Sequence, residues 1–179
     1  MNIKIKFIRL NKYLLFLFIF ILLVTISQLV WIKLNTAPPM MWDDAIYLTH
    51  SLNNYYTLID NGILRFLCIF TQIITNSHPP LISVLPLPFY FVFGTGTFSA
   101  LLVYTFFIII FCIYLFLLTK EIFNERVALL AVVITSLFPL TYGLWRQFMI
   151  EFGVVTLVVC YFFYLLKSNK FRELKYVIP

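Results

Sequence analysis

Five side chains in this sequence have the chemistry and grouping to act on a substrate. Asp43 and Asp44 are adjacent in "PPMMWDDAIY", His78 stands ahead of Pro79 and Pro80, and Arg146 and Glu151 share "WRQFMIEF". A carboxylate can take a proton from a hydroxyl, while an arginine or a protonated histidine can hold phosphate oxygens. A phosphate role for His78 therefore varies with pH near neutrality. Acids and cations brought to one membrane surface would suit a phosphate-bearing lipid substrate. Each group also has an ordinary reading. Asp43 or Asp44 can cap the helix that follows and meet its dipole. His78 can bond loop backbone, Arg146 can extend to lipid headgroups, and Glu151 can sit in the first turn of a helix. Arg146 and Glu151 are about a turn and a half apart on a helix and need not face the same way.

The elements that must position these groups are lipid-embedded. Of 179 residues, 63% are hydrophobic and only 11% charged, and the mean hydropathy is +0.99. Soluble domains carry roughly a quarter charged residues, so the chain reads as an integral membrane protein. The net charge of +6 does not point to nucleic acid. The basic residues collect at the ends of apolar runs, where they encode topology. Cys68, Cys112 and Cys160 lie within apolar runs without metal-ligand spacing and read as packing residues.

Four spans are expected, over about 13–32, 97–119, 127–145 and 148–166, with Pro139 kinking the outer end of the third. The first run is longer than a signal-peptide core and lacks a good cleavage site, so it reads as an uncleaved span. Lys4, Lys6, Arg9 and Lys12, then Lys120 to Arg126, then Lys167 to Lys175, place the N-terminus, the loop between the second and third spans and the tail in the cytoplasm. The chain thus reads as one all-α, polytopic domain over 1–179 in the cell membrane, with a long outer loop over 34–96. That loop is too apolar to be simply solvated. "DDAIYLTHSLNNYY" and "ILRFLCIFTQIITN" read as interfacial helices, and "HPPLISVLPLPFYFVFG", broken by four prolines, as a re-entrant or interfacial segment. Trp31, Trp42 and Trp145 read as an interfacial aromatic belt. The ending "KYVIP" suggests the start of a further apolar run, and so a truncated chain.

Taken in order, "WDDAIYLTHSLNNYY", "HPPLISVLPLPFYFVFG", "FPLTYGLWRQFMIEF" and "YLLKSNKF" resemble the N-terminal part of a GT-C membrane glycosyltransferase. The nearest likeness is to glycosyltransferase family 39 and the RgtA/B/C/D-like proteins, kin to protein O-mannosyltransferases and lipid A aminoarabinose transferases. The resemblance implies transfer of a hexose or pentose from a polyprenyl-phosphate donor to an acceptor hydroxyl on the non-cytoplasmic face. It implies Asp43 as general base and Asp44, where relatives usually carry Glu, as the second catalytic acid. It implies His78 and Arg146 near the lipid phosphate, and Glu151 orienting the acceptor or a divalent ion. No cofactor is specified beyond a divalent cation compatible with these acids, and the sugar and acceptor are left open.

Two other readings stand beside it. A non-catalytic membrane protein, a remnant or an assembly subunit, would keep the scaffold without turnover. A small transporter subunit would need polar groups facing one another within the spans. The spans offer Thr105, Thr135, Ser136 and Thr156 and no mid-membrane charge, which counts against transport.

Overall fold

The computed structural model describes residues 12–35, 42–73 and 80–168. Among them every regular element is a helix: α1 Lys12–Leu34, α2 Trp42–Ile73, α3 Leu81–Val84, α4 Leu87–Phe93, α5 Thr97–Ile122, α6 Glu125–Leu137, α7 Pro139–Leu144 and α8 Ile150–Lys167. Helices α1, α5 and α8 are long and apolar enough to cross a membrane. At 1.5 Å per residue they reach about 35, 39 and 27 Å, against a hydrocarbon core of about 30 Å. Their outer faces expose Phe18, Leu23, Phe106, Ile110, Leu157 and Phe162, a surface suited to lipid tails. The chain is an all-α membrane protein.

Helix α5 is the central post. It packs most extensively on α8, then on α6 and α1, and its buried face runs from Ser99 to Thr119. Gly153 of α8 faces α5: a Cβ there would lie at ordinary contact distance, 3.5 Å, from the ring of Phe107. Tyr104, Ile108, Phe111, Cys112 and Phe116 of α5 form the core with Ala128 and Val132 of α6 and Phe152 of α8.

The span expected over 127–145 is not one helix. It breaks at Phe138, whose backbone is extended (φ −64°, ψ 130°), leaving α6 at 13 residues and α7 at 6. The cause is local. Pro139 crowds the backbone of the residue before it and drives that residue out of the helical region. Pro139 itself, with no N–H to satisfy, begins α7 comfortably.

The helices expected between the first two spans form over the described residues, but they join. The two expected helices run together as α2, broken at Gly62 (φ 74°, ψ 174°), a conformation essentially confined to glycine. The proline-rich segment gives the short helices α3 and α4. Asn54 of α2 donates from Nδ2 to Ser83 Oγ at 2.9 Å, and that hydroxyl donates to the Pro80 carbonyl at 2.7 Å. Trp42 begins α2, but its side chain lies outside the described set. Of the cysteines read as packing residues, Cys112 is buried and Cys160 half-buried, whereas Cys68 is exposed.

The basic ends share one end of the bundle. Lys167 at the foot of α8 pairs with Glu121 of α5 at 2.6 Å, Lys120 pairs with Glu125 at 2.7 Å, and Arg126 Nε donates to Tyr13 of α1 at 2.7 Å. Exposed pairs of this kind contribute about 0.2–1 kcal/mol each, so they orient the ends more than they hold them together. Asn124 caps α6 by accepting from Arg126 N and Val127 N, which fixes the turn after α5.

Candidate active site at the acid cluster

At the other end of α5 and α8, the start of α2 meets the bend between α7 and α8. Asp43 and Asp44 lie inside the first turn of α2, not ahead of it. Adjacent helical residues point about 100° apart, so packing decides which acid turns inward. Asp44 does, at 5% exposure, while Asp43 is exposed. Asp44 Oδ1 is buried with no hydrogen-bond partner, so capping does not account for this side chain.

Glu151, exposed in the first turn of α8, lies within electrostatic reach of Asp44, as does Asp43. Burial first, then the charges of Glu151 and Asp43, push the Asp44 carboxyl up to about 6, while the Phe148 backbone N–H turned towards it pulls the other way. Tyr47, one turn along α2 and 7% exposed, is raised by burial and by the same two acids. Two carboxyl groups from α2 and one from α8 therefore share a partly dehydrated mouth. Like charges in such a place favour proton uptake by one member, which is a property of acid–base sites. Among the described residues no group of three or more ligating side chains stands at metal-binding spacing.

Arg146 turns elsewhere. Its guanidinium lies 3.8 Å from the centroid of the Tyr142 ring and 4.9 Å from that of Trp31. It forms no ion pair with an acid among the described residues, and its Nε is buried without an acceptor. Burial lowers its pKa, partly offset by Tyr142. An unpaired guanidinium stacked between two rings suits an anion brought by a ligand. Beside it a groove of about 230 Å³ runs between α1 (Leu23, Gln28) and the α6–α7 segment (Leu137, Tyr142, Trp145). Arg146 and Glu151 thus share one bend but serve different neighbours. His78 lies outside the described residues.

Three features of this end have little trace in the sequence. Gln28, 1% exposed inside α1, donates from Nε2 to the Trp145 carbonyl at 3.0 Å. An amide within an apolar span is a usable signal, because hydrocarbon forces it to find a partner. Trp145, expected in the interfacial belt, is instead 2% exposed and meets Tyr142 and Phe152 edge-on. Tyr104 of α5 donates its hydroxyl to the Met149 carbonyl; it is one of eleven tyrosines, and no pattern singles it out.

Residues 77–178 match the family described as dolichyl-phosphate-mannose-protein mannosyltransferase, which is more than half of the chain. The chain belongs to this family. No curated protein and no solved structure matches it. The mannosyltransferase match takes in His78, Arg146 and Glu151 and leaves α1, Asp43 and Asp44 outside. Membership makes the chain a glycosyltransferase-like membrane protein of the GT-C type.

The raised Asp44 carboxyl has a consequence for stability. The native state holds this proton more tightly than the unfolded chain, whose carboxyl titrates near the ordinary 3.8. Its contribution to stability therefore falls as pH rises from about 4 to about 6 and stays unfavourable above. Asp44→Asn is expected to remove that pH-dependent part and to raise the thermal midpoint at pH 8 by about 2 °C or more. Thermal unfolding of the detergent-solubilised protein at several pH values checks this. A lower midpoint at pH 8 with the pH dependence retained would contradict the burial of Asp44.

Proposed function

We propose that the chain acts in glycosyl transfer from a polyprenyl-phosphate sugar to a hydroxyl acceptor at the non-cytoplasmic face of the cell membrane. The observation that carries this reading is the meeting of Asp43 and Asp44 with Glu151, within a chain of the mannosyltransferase family. Asp43, exposed at the mouth, can reach an acceptor. It takes the hydroxyl proton as the acceptor oxygen attacks the anomeric carbon, and the bond from that carbon to the phosphate oxygen breaks with its electron pair leaving on the phosphate. Attack opposite the leaving group inverts the sugar. Asp44 and Glu151 frame the acceptor side.

Arg146 supplies positive charge for the departing phosphate, worth most in a site poor in water. The adjoining groove is apolar along Leu23 and Leu137 and fits the donor's isoprenoid chain. His78 joins the phosphate side in its protonated form. The described carboxylates do not form a three-ligand metal set, and no step is assigned to a divalent cation. In this orientation the N-terminus and the Lys120–Arg126 turn are cytoplasmic.

With radiolabelled polyprenyl-phosphate mannose and membranes carrying the protein, Asp43→Asn is expected to slow loss of label from the carrier by about 100-fold or more. Carrier binding should persist; unchanged turnover would refute the base assignment. For the orientation, in a Cys68→Ser background, Asn61→Cys should react with an impermeant maleimide added outside, and Phe123→Cys only after permeabilisation. The opposite pattern would invert the topology.

A further inference from the structure

We propose that Tyr104 is a positioning residue, whose hydroxyl holds the Met149 carbonyl and so fixes the α7–α8 bend with Glu151 and the Phe148 N–H facing Asp44. The proposal rests on the reading of Asp43, Asp44 and Glu151 as the transfer site.

The bend needs such an anchor. Met149 is the N-cap of α8, and its side chain supplies no capping bond. Its place must therefore be set by bonds from other helices to its backbone. Three are present. Gln28 of α1 holds the Trp145 carbonyl, Tyr104 of α5 holds the Met149 carbonyl, and the Phe148 N–H turns to Asp44 of α2. The third is the site itself, and the first lies before the bend turns towards it. Only the Tyr104 bond, among these three, ties the segment between Phe148 and Glu151 to a membrane-spanning helix.

Tyr104 is well fixed for this work. It is 0% exposed, and its ring packs on Phe107, Phe148 and Phe152 at centroid distances of 6.0, 6.0 and 6.4 Å. Its hydroxyl end lies within electrostatic reach of Asp44, Glu151 and Tyr47, at the acid cluster yet closed to any substrate. It acts through the bend.

The groups facing Asp44 are Asp43 and Tyr47 on α2, Tyr104 on α5, the Phe148 N–H on the bend and Glu151 on α8. Tyr104→Phe keeps the ring and deletes only the hydroxyl, leaving the Met149 carbonyl without its donor. Glu151 and the Phe148 N–H then both relax away from Asp44, and because the Glu151 charge outweighs the opposing N–H bond, Asp44 titrates lower. Phe107→Leu is the control, because it loosens the same aromatic packing without touching the hydrogen bond.

The test uses membranes carrying the wild type and the two variants. They are treated from about pH 5 to pH 8 with a hydrophobic carbodiimide, which modifies protonated carboxyls, and Asp44 is read by peptide mass spectrometry. Transfer from polyprenyl-phosphate mannose is followed in parallel. In the wild type the Asp44 midpoint is expected near 6. In Tyr104→Phe it should fall by about half a unit or more. Phe107→Leu should leave the midpoint in place. An unchanged midpoint in Tyr104→Phe, or an equal fall in Phe107→Leu, overturns the proposal. A fall confined to Tyr104→Phe in a protein that transfers no sugar supports the positioning and removes the transfer reading instead.

Discussion

A carboxyl group held out of water beside a second carboxyl costs free energy, and one end of this helix bundle is built around one. Asp44 is 5% exposed, has an oxygen without a partner, and shares its surroundings with Glu151 and Asp43. A packed structure keeps such an arrangement only where other interactions over-determine it. Those interactions are identifiable. Helix α5 packs more extensively on α8 than on any other helix, Tyr104 ties down the start of α8, and Gln28 ties the same bend to α1. The strongest packing in the molecule thus converges on the helix whose first turn bears Glu151.

The two ends of the bundle divide the electrostatic labour. One end gathers Lys120, Arg126 and Lys167 in exposed pairs with acids and a tyrosine, where water screens them and little energy is at stake. At the other, the acids crowd together and the cation Arg146 stands apart, stacked on Tyr142 and Trp31 with no counter-ion among the described residues. The proposed transfer uses this separation: a hydroxyl acceptor meets the acids, and the donor's phosphate meets the guanidinium. This is the geometry on which the glycosyl-transfer reading rests, and the family membership gives it context.

Much of the framework was legible because lipid imposes coarse rules. Runs of about twenty apolar residues had to be helices, and the basic residues at their ends had to gather on one side. Gly62 and Pro139 broke helices for reasons carried by single residue types. The site was legible only in outline. Which of Asp43 and Asp44 faces inward depends on how α2 lies against the α7–α8 bend, and adjacent positions carry no sign of it. Trp145 looked like a belt residue because tryptophans at span ends usually are, yet its ring fills the core beneath the bend. Tyr104 was invisible because its role depends on a contact 45 residues away in the sequence.

The convergence of α2 and α8 at their acids is the claim on which the rest depends, and chemical cross-linking reaches it directly. In a chain with Cys68, Cys112 and Cys160 replaced by serine or alanine, Asp44→Cys and Glu151→Cys would be introduced together and treated in membranes with a short bifunctional thiol reagent. The account predicts efficient intramolecular cross-linking of this pair, and none when Glu151→Cys is exchanged for Lys167→Cys at the far end of α8. Failure of the Asp44–Glu151 pair to cross-link, with both thiols reactive singly, would contradict it.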